Sequence, residues 1–122
     1  MGTFYAGCLI ENHVHREKSI RISKLLVDTG SEYTWIRSSA LEKIGVAQEK
    51  KDMMFVMANG QRVTRNMGFV IVHLGRHFTI DEVVFAEEGD LNLLGARTLE
   101  GLNLAVDSQK KKLVAAGPIT AA

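Results

Sequence analysis

Residues 25–36 read Leu-Leu-Val-Asp-Thr-Gly-Ser-Glu-Tyr-Thr-Trp-Ile, an aliphatic run that ends on an acid, a hydroxyl and a glycine. The aliphatic run predicts a buried strand, and Asp28 stands where that strand ends. A buried carboxylate is costly unless it is paired or hydrogen-bonded. Two interpretations follow. Asp28 completes a turn, which the residues Asp-Thr-Gly favour, or its carboxylate is held at the edge of the core because chemistry needs it there.

The composition of the chain indicates one globular domain, residues 1–122, with a hydrophobic core. The formal charge is +1, from 15 basic and 14 acidic side chains, so we expect no nucleic acid and no anionic membrane as a partner. Cys8 is the only cysteine, which excludes an intramolecular disulfide and a cysteine metal cluster. We expect neither a metal nor a cofactor. The absence of a signal-like N-terminus and of a membrane-length apolar run predicts a cytoplasmic protein.

Short strands between turn residues dominate the predicted secondary structure. The strands are expected at residues 4–11, 19–27, 53–57, 61–65, 68–74, 78–85, 104–107 and 112–115. Ser39 and Glu42 have the spacing of a capping box and predict a short helix that Gly45 ends. A second short helix is expected over residues 96–100. The sequence therefore predicts an all-β domain with one or two short helices.

The stretch Leu-Leu-Val-Asp28-Thr29-Gly30-Ser31 resembles the active-site signature of aspartic proteases. Trp35 strengthens the resemblance, because pepsin-like enzymes commonly have a tryptophan at this distance from the catalytic aspartate. A lone Asp-Thr-Gly is weak, since three letters recur by chance in unrelated loops. The order of the later segments therefore has to be considered with it.

That order resembles the retropepsins, the single-domain form of the family. Asn59-Gly60 predicts a hairpin, because both residues tolerate positive φ, and corresponds to the tip of a flap. Leu93-Leu94-Gly95 is similar to the aliphatic-aliphatic-glycine run that precedes a short helix in the family. Ala105-Val106-Asp107 is similar to a segment of prokaryotic members. The chain is therefore expected to be a retropepsin-like aspartic protease of the prokaryotic branch, and the resemblance covers roughly residues 4–115.

The resemblance implies a closed acid-protease barrel that forms half of a twofold-symmetric dimer. Peptide hydrolysis by this route needs two carboxylates that share one proton, so that one activates water and the other polarises the scissile carbonyl. Asp28 is the only one of five aspartates that is followed by Thr-Gly. The second carboxylate is therefore expected from Asp28 of a second copy, in a homodimer that cleaves a peptide or protein substrate. The alternative is a catalytically idle dimerisation or peptide-binding module with the same fold.

The resemblance also gives roles to the neighbours of Asp28. The Thr29 position hydrogen-bonds across the dimer axis in the family, and Gly30 lets backbone lie close to the carboxylate. The hydroxyl of Ser31 is expected to donate to the carboxylate. The residues expected to bind substrate are Trp35, behind the flap, and Met57, Ala58, Asn59 and Gly60, which would close over the peptide.

One departure from the viral pattern lies after Gly95. Viral retropepsins have an arginine there that pairs with an acid just after the signature, whereas this chain has Ala96, with Arg97 one residue later. Glu32 is the acidic candidate. An ion pair in the viral manner is therefore not expected.

Overall fold

A computed structural model describes residues 3–121, and strands predominate in it. The strands of this part of the chain are β1 Tyr5–Asn12, β2 Ser19–Val27, β3 Thr34–Arg37, β4 Lys50–Val56, β5 Arg62–Leu74, β6 His77–Ala86, β7 Leu93–Leu94, β8 Leu104–Asp107 and β9 Lys112–Ala115. The helices, α1 Ser38–Lys43 and α2 Ala96–Gly101, are short. The prediction of a mostly stranded domain with one or two short helices is confirmed.

One sheet contains seven of the strands, in the order β1-β2-β7-β3-β6-β5-β4. β1 pairs in addition with β5, and β8 and β9 form a separate antiparallel pair. Two of the pairings are parallel, β2 with β7 and β3 with β6. Because β7 lies between β2 and β3, it holds together the two strands that flank residues 28–33.

The main core is aliphatic and lies where the strands and helices meet. Its fully buried members include Cys8, Ile10, Leu25, Ile36, Leu41, Val70, Val72, Val83 and Leu94. Alternation explains the contribution of β5, since Val70 and Val72 are on one face of the strand. Burial raises the pKa of the Cys8 thiol to about 11, so this side chain stays protonated and acts as a small apolar group.

The hairpin around residues 57–61 extends the main sheet. The two strands predicted at residues 61–65 and 68–74 are a single strand, β5, whose first half pairs with β4 and whose second half pairs with β6. Gly68 lies where this strand passes close to another segment, because a Cβ there would be 2.5 Å from the carbonyl oxygen of Ala47. The hairpin is thus anchored in the core through β5.

The predicted capping box is wrong. α1 begins at Ser38, has Arg37 at its N-cap and lacks a side-chain cap hydrogen bond, so Ser39 lies inside the helix. β3 runs directly into α1, and the hydroxyl of Ser38 donates to the carbonyl of Ala86 at 3.0 Å. The predicted end of the helix is confirmed, since Gly45 follows it with a φ of 71°.

Candidate active site

Asp28 lies directly after β2, where the parallel pairing of β2 with β7 ends. Val27 is paired with Leu94, and the backbone amide of Asp28 donates to the carbonyl of Leu94 at 3.0 Å. The carbonyl of Asp28 accepts from the amide of Ser31 at 3.1 Å, which closes a tight turn. The position of the carboxylate is therefore set by backbone hydrogen bonds on both sides of the residue.

The Asp28 side chain is half-buried, and its Oδ1 accepts from the amide of Gly30 at 2.9 Å. A Cβ on Gly30 would lie 3.2 Å from that oxygen, closer than most such contacts. Glycine therefore leaves room for the amide to approach the carboxylate. Thr29, the residue between them, is exposed, and its hydroxyl forms no hydrogen bond to any residue in the range 3–121.

The expected hydrogen bond from Ser31 to the carboxylate is wrong for this chain. The Ser31 hydroxyl donates to the carbonyl of Tyr33 at 2.8 Å. A serine hydroxyl has one proton, so it is not a donor to Asp28 at the same time. Ser31 instead stabilises the turn that follows Asp28, which remains a supporting role for the loop.

The segment around Gly95 packs against the backbone of residues 31–33. The amide of Ala96 donates to the carbonyl of Ser31 at 2.8 Å, and the amide of Arg97 donates to the carbonyl of Glu32 at 3.0 Å. A Cβ on Gly95 would lie 2.4 Å from the carbonyl oxygen of Tyr33 and 2.9 Å from that of Ser31. Only glycine fits between the two segments without displacing one of them.

The carboxylate opens onto a cleft of about 480 Å³ between this loop and the hairpin. Among the residues expected to bind substrate, Trp35, Met57 and Ala58 line the cleft, whereas Asn59 and Gly60 lie exposed at the hairpin tip outside it. The sequence did not single out four further lining residues, which are Tyr33, Phe55, Val56 and Leu91. The cleft wall is therefore mainly apolar and rich in aromatic groups.

Aromatic contacts join the floor of the cleft to the hairpin. The Trp35 side chain is 6% exposed, and its ring packs against Phe55 of β4 with centroids 5.3 Å apart and an interplanar angle of 61°. Tyr33 meets Phe55 edge-on, with centroids 6.2 Å apart. Edge-to-face aromatic packing adds to the free energy gained from burial, so Phe55 links the hairpin to the loop that carries Asp28.

The hairpin tip is a loop of residues 57–61 and has hydrogen bonds of its own. The amide of Met57 donates to the carbonyl of Gln61, and the amide of Gly60 donates to the carbonyl of Met57, both at 2.8 Å. The predicted hairpin is thus present, but only Gly60 has positive φ, at 84°. Asn59 contributes differently from the expectation, because its side-chain oxygen accepts from the amide of Gln61 at 2.9 Å.

The Arg97 side chain contacts Tyr33 and two carboxylates of β6. Its guanidinium lies 5.0 Å from the centre of the Tyr33 ring and donates to the Tyr33 hydroxyl at 3.2 Å. Its carboxylate neighbours are Glu82 at 3.7 Å and Asp81 at 4.0 Å, both on β6. Arg97 therefore packs on an aromatic residue of the cleft wall.

Within residues 3–121, His, Cys, Asp and Glu side chains form no group of three or more that could hold a metal ion. Neither helix of that range is long and apolar enough to cross a membrane.

The sequence profile of a family described as Aspartyl protease matches residues 17–98. The matched segment contains Asp28, the hairpin and Gly95, and it covers most of the chain. The chain belongs to the aspartyl protease family. The expected resemblance to retropepsin-like aspartyl proteases is confirmed by this match. A comparison with curated proteins found no match.

Proposed function

We propose that the protein is an aspartic endopeptidase in which two Asp28 carboxylates, one from each subunit of a homodimer, activate the attacking water. The observation that carries the proposal is the position of Asp28. Within residues 3–121 it is the one aspartate that lines the apolar cleft, and it is held there by hydrogen bonds to Leu94 and Gly30. Family membership supports peptidase activity, and the presence of a single cleft aspartate within residues 3–121 supports the need for a second copy.

The other aspartates have different surroundings. Asp52 is exposed in β4, Asp90 is bonded to Arg65, and Asp107 accepts from the amide of Lys110 in the β8–β9 turn. Asp81 accepts from the hydroxyl of Thr98. None of these four side chains lines the cleft in the part of the chain that is described. A twofold axis beside Asp28 would supply the missing carboxylate from an identical loop.

In the proposed mechanism the two Asp28 carboxyl groups share one proton, because two like charges at contact distance do not both ionise. The ionised group takes a proton from water, and the protonated group donates to the scissile carbonyl oxygen. The proton held by the first group then passes to the leaving amine. The exposed hydroxyl of Thr29 would donate across the axis and join the two loops.

The substrate would lie in the cleft, with an apolar side chain against Trp35 and Phe55 and with the hairpin closing over it as a flap. Met57, Ala58, Asn59 and Gly60 form the part that would move. The additional pairing of β1 with β5 supports the closed barrel of the family. The prokaryotic branch and the cytoplasmic location stay predictions from the sequence.

Hydrolysis of a mixed peptide pool tests the proposal, with cleavage followed by mass spectrometry. Asp28→Asn keeps the shape of the side chain but does not share or accept the proton as required, so it should lower turnover by about 10³-fold or more. Asp107→Asn is the matched control, since it makes the same chemical change in a remote turn, and it should cleave as the wild type does. Wild-type turnover by Asp28→Asn would contradict the assignment. The alternative, an idle binding module, predicts no cleavage by any of the three proteins.

A further inference from the structure

A chain of hydrogen bonds runs behind the candidate active site, away from the cleft. The backbone amide of Gly95 donates to Oγ1 of Thr34 at 3.0 Å. Oγ1 of Thr34 lies 2.5 Å from Oγ1 of Thr98, and Oγ1 of Thr98 donates to Oδ2 of Asp81 at 2.8 Å. Both threonines are fully buried, and the Asp81 side chain is 10% exposed. No sequence pattern indicated this network, because its members are far apart along the chain.

The direction of the hydrogen bonds in this network follows from counting the protons of the hydroxyl groups. Each threonine hydroxyl has one proton, and that of Thr98 is used in the bond to Asp81. Thr34 must therefore donate to Thr98, and Thr34 accepts from Gly95. All donors point one way, from the Gly95 amide towards Asp81. The network therefore needs a hydrogen-bond acceptor at its end, and an ionised carboxylate such as that of Asp81 only accepts hydrogen bonds.

Asp81 uses both of its oxygens as acceptors. Oδ1 accepts from the amide of Glu82 at 2.8 Å, while Oδ2 accepts from Thr98. An asparagine at this position would have a single acceptor oxygen and an NH₂ group that only donates. One of the two bonds would then be lost. Hydrogen bonds to an ionised acceptor are shorter and stronger than neutral ones, so the carboxylate also strengthens the chain that ends on it.

The other end of the network lies at a position that matters for Asp28. Leu94, the residue before Gly95, accepts from the amide of Asp28 at 3.0 Å. Ala96, the residue after it, donates to the carbonyl of Ser31 at 2.8 Å. The network therefore fixes the one residue that separates two hydrogen bonds to the active-site loop. A small shift of Gly95 would move both of those bonds and change where the carboxylate points.

We propose that Asp81 is a positioning residue for Asp28, acting through Thr98, Thr34 and Gly95. This inference rests on the proposed function in one respect only, namely that Asp28 is the catalytic carboxylate. The arrangement affects the orientation of Asp28 and leaves the apolar wall around Trp35 and Phe55 in place. Loss of the network should therefore lower kcat and leave KM nearly unchanged.

The test is a pair of substitutions at Thr98. Thr98→Val keeps the size and removes the hydroxyl, and Thr98→Ser keeps the hydroxyl. Thr98→Val should lower kcat by about 10- to 100-fold, as expected for a small displacement of a catalytic group, with KM within about twofold of the wild-type value. Thr98→Ser should restore most of kcat. Thr120→Val makes the same change in the exposed C-terminal segment and should match the wild type.

Amide hydrogen exchange provides a readout that does not depend on catalysis. In folded Thr98→Val, the amides of Gly95, Ala96 and Asp28 should exchange faster than in the wild type, while amides in the middle of β5 keep their protection. Thr98→Ser should return them towards wild-type rates. If the wild type cleaves no peptide, the proposed function fails and the exchange rates still decide whether the network holds the loop.

A second variant, at the Asp81 end of the network, provides the test if Thr98→Val does not fold. Asp81→Asn should give the same pattern, a lower kcat with unchanged KM and faster exchange at Gly95. Wild-type kcat and wild-type exchange in the folded variants would overturn the proposal. Failure of Thr98→Ser to restore kcat would also overturn it, because the effect of valine would then arise from packing rather than from the hydroxyl.

Discussion

Asp28 and Leu94 are joined by a backbone hydrogen bond of 3.0 Å, so the position of the candidate catalytic residue depends on a segment 66 residues further along the chain. Gly95 follows Leu94 and lies against the carbonyl oxygens of Ser31 and Tyr33. This close approach makes the site sensitive to a single methyl group at a position that does not line the cleft.

Gly95→Ala should therefore abolish most of the activity. The new Cβ would lie 2.4 Å from the carbonyl oxygen of Tyr33, so the active-site loop or the start of α2 must move. We expect turnover to fall by about 100-fold or more, with a loss of stability of about 1–3 kcal/mol. Peptide hydrolysis and urea unfolding measure the two effects.

Gly75→Ala is the control for Gly95→Ala, because it distinguishes displacement of the active-site loop from general destabilisation of the protein. Gly75 has a φ of 61° in the turn between β5 and β6, and a Cβ there would meet nothing within 4 Å. Alanine should cost about 1–2 kcal/mol through backbone strain alone and leave turnover per folded molecule unchanged. Equal loss of activity in the two variants would contradict a specific role for Gly95.

Phe55→Ala should weaken substrate binding, because Phe55 forms the cleft wall against Trp35. We expect KM to rise by about tenfold for peptides with a large apolar side chain, with a smaller change in kcat. Trp35 is the only tryptophan, so its emission should shift to longer wavelength as its ring becomes exposed. Phe78→Ala removes an exposed phenylalanine outside the cleft and should change neither quantity. An unchanged KM for Phe55→Ala would exclude this part of the cleft as the substrate site.

Acid stability should depend on Asp90. Nε and Nη2 of Arg65 donate to its two carboxylate oxygens at 2.7 and 2.9 Å. These hydrogen bonds hold the pKa of Asp90 below its ordinary value, and burial partly opposes them. A carboxyl with a lowered folded pKa stabilises the protein above its unfolded pKa of about 3.9, and this contribution is lost as pH falls through the folded value.

Asp90→Asn should thus lower the free energy of unfolding at pH 7 by about 1–3 kcal/mol. The difference from the wild type should shrink as the pH falls below the unfolded pKa of about 3.9 and through the lowered folded pKa, since the wild-type carboxyl becomes protonated there. Urea unfolding at a series of pH values measures this difference, with Asp52→Asn as the control for loss of an exposed charge. A difference in unfolding free energy that does not shrink with falling pH would show that the hydrogen bonds from Arg65 do not depend on the charge of Asp90.

The local parts of the fold could be predicted from the sequence. The strand that ends on Asp28, the hairpin at Gly60 and the β8–β9 pair are each encoded by neighbouring residues, through an aliphatic run or a turn glycine. β3 was not predicted as a strand. Its residues Thr34, Trp35 and Ile36 are all buried, so they show no alternation, and the strand is defined by parallel pairing with β6, far along the chain.

The candidate site also has parts that could be predicted from the sequence and parts that could not. Asp28 and its turn are a contiguous signature, and they could be identified with the cleft residues Trp35 and Met57 through a family resemblance. Phe55 and Leu91 reach the cleft only because β4 and the segment before β7 fold over it. The network from Gly95 to Asp81 depends on contacts between residues up to 64 positions apart, and no local pattern encodes such contacts.

The proposed homodimer rests on the presence of one cleft aspartate per chain within residues 3–121. Sedimentation at micromolar concentration should give about twice the chain mass of 13.5 kDa. Asp28→Asn should sediment in the same way, because the substitution leaves the backbone hydrogen bond from residue 28 to Leu94 intact. A strictly monomeric protein that cleaves peptides would contradict a site shared between two chains.

The most direct test of the central claim is the activity of mixed dimers. Wild-type and Asp28→Asn chains are unfolded together in equal amounts, refolded, and compared with the same total amount of refolded wild-type chain. If each active site needs Asp28 from both subunits, only the wild-type homodimers cleave, and about one quarter of the activity remains. A remaining activity of about one half would mean that each chain acts with its own carboxylate, and it would contradict the shared site.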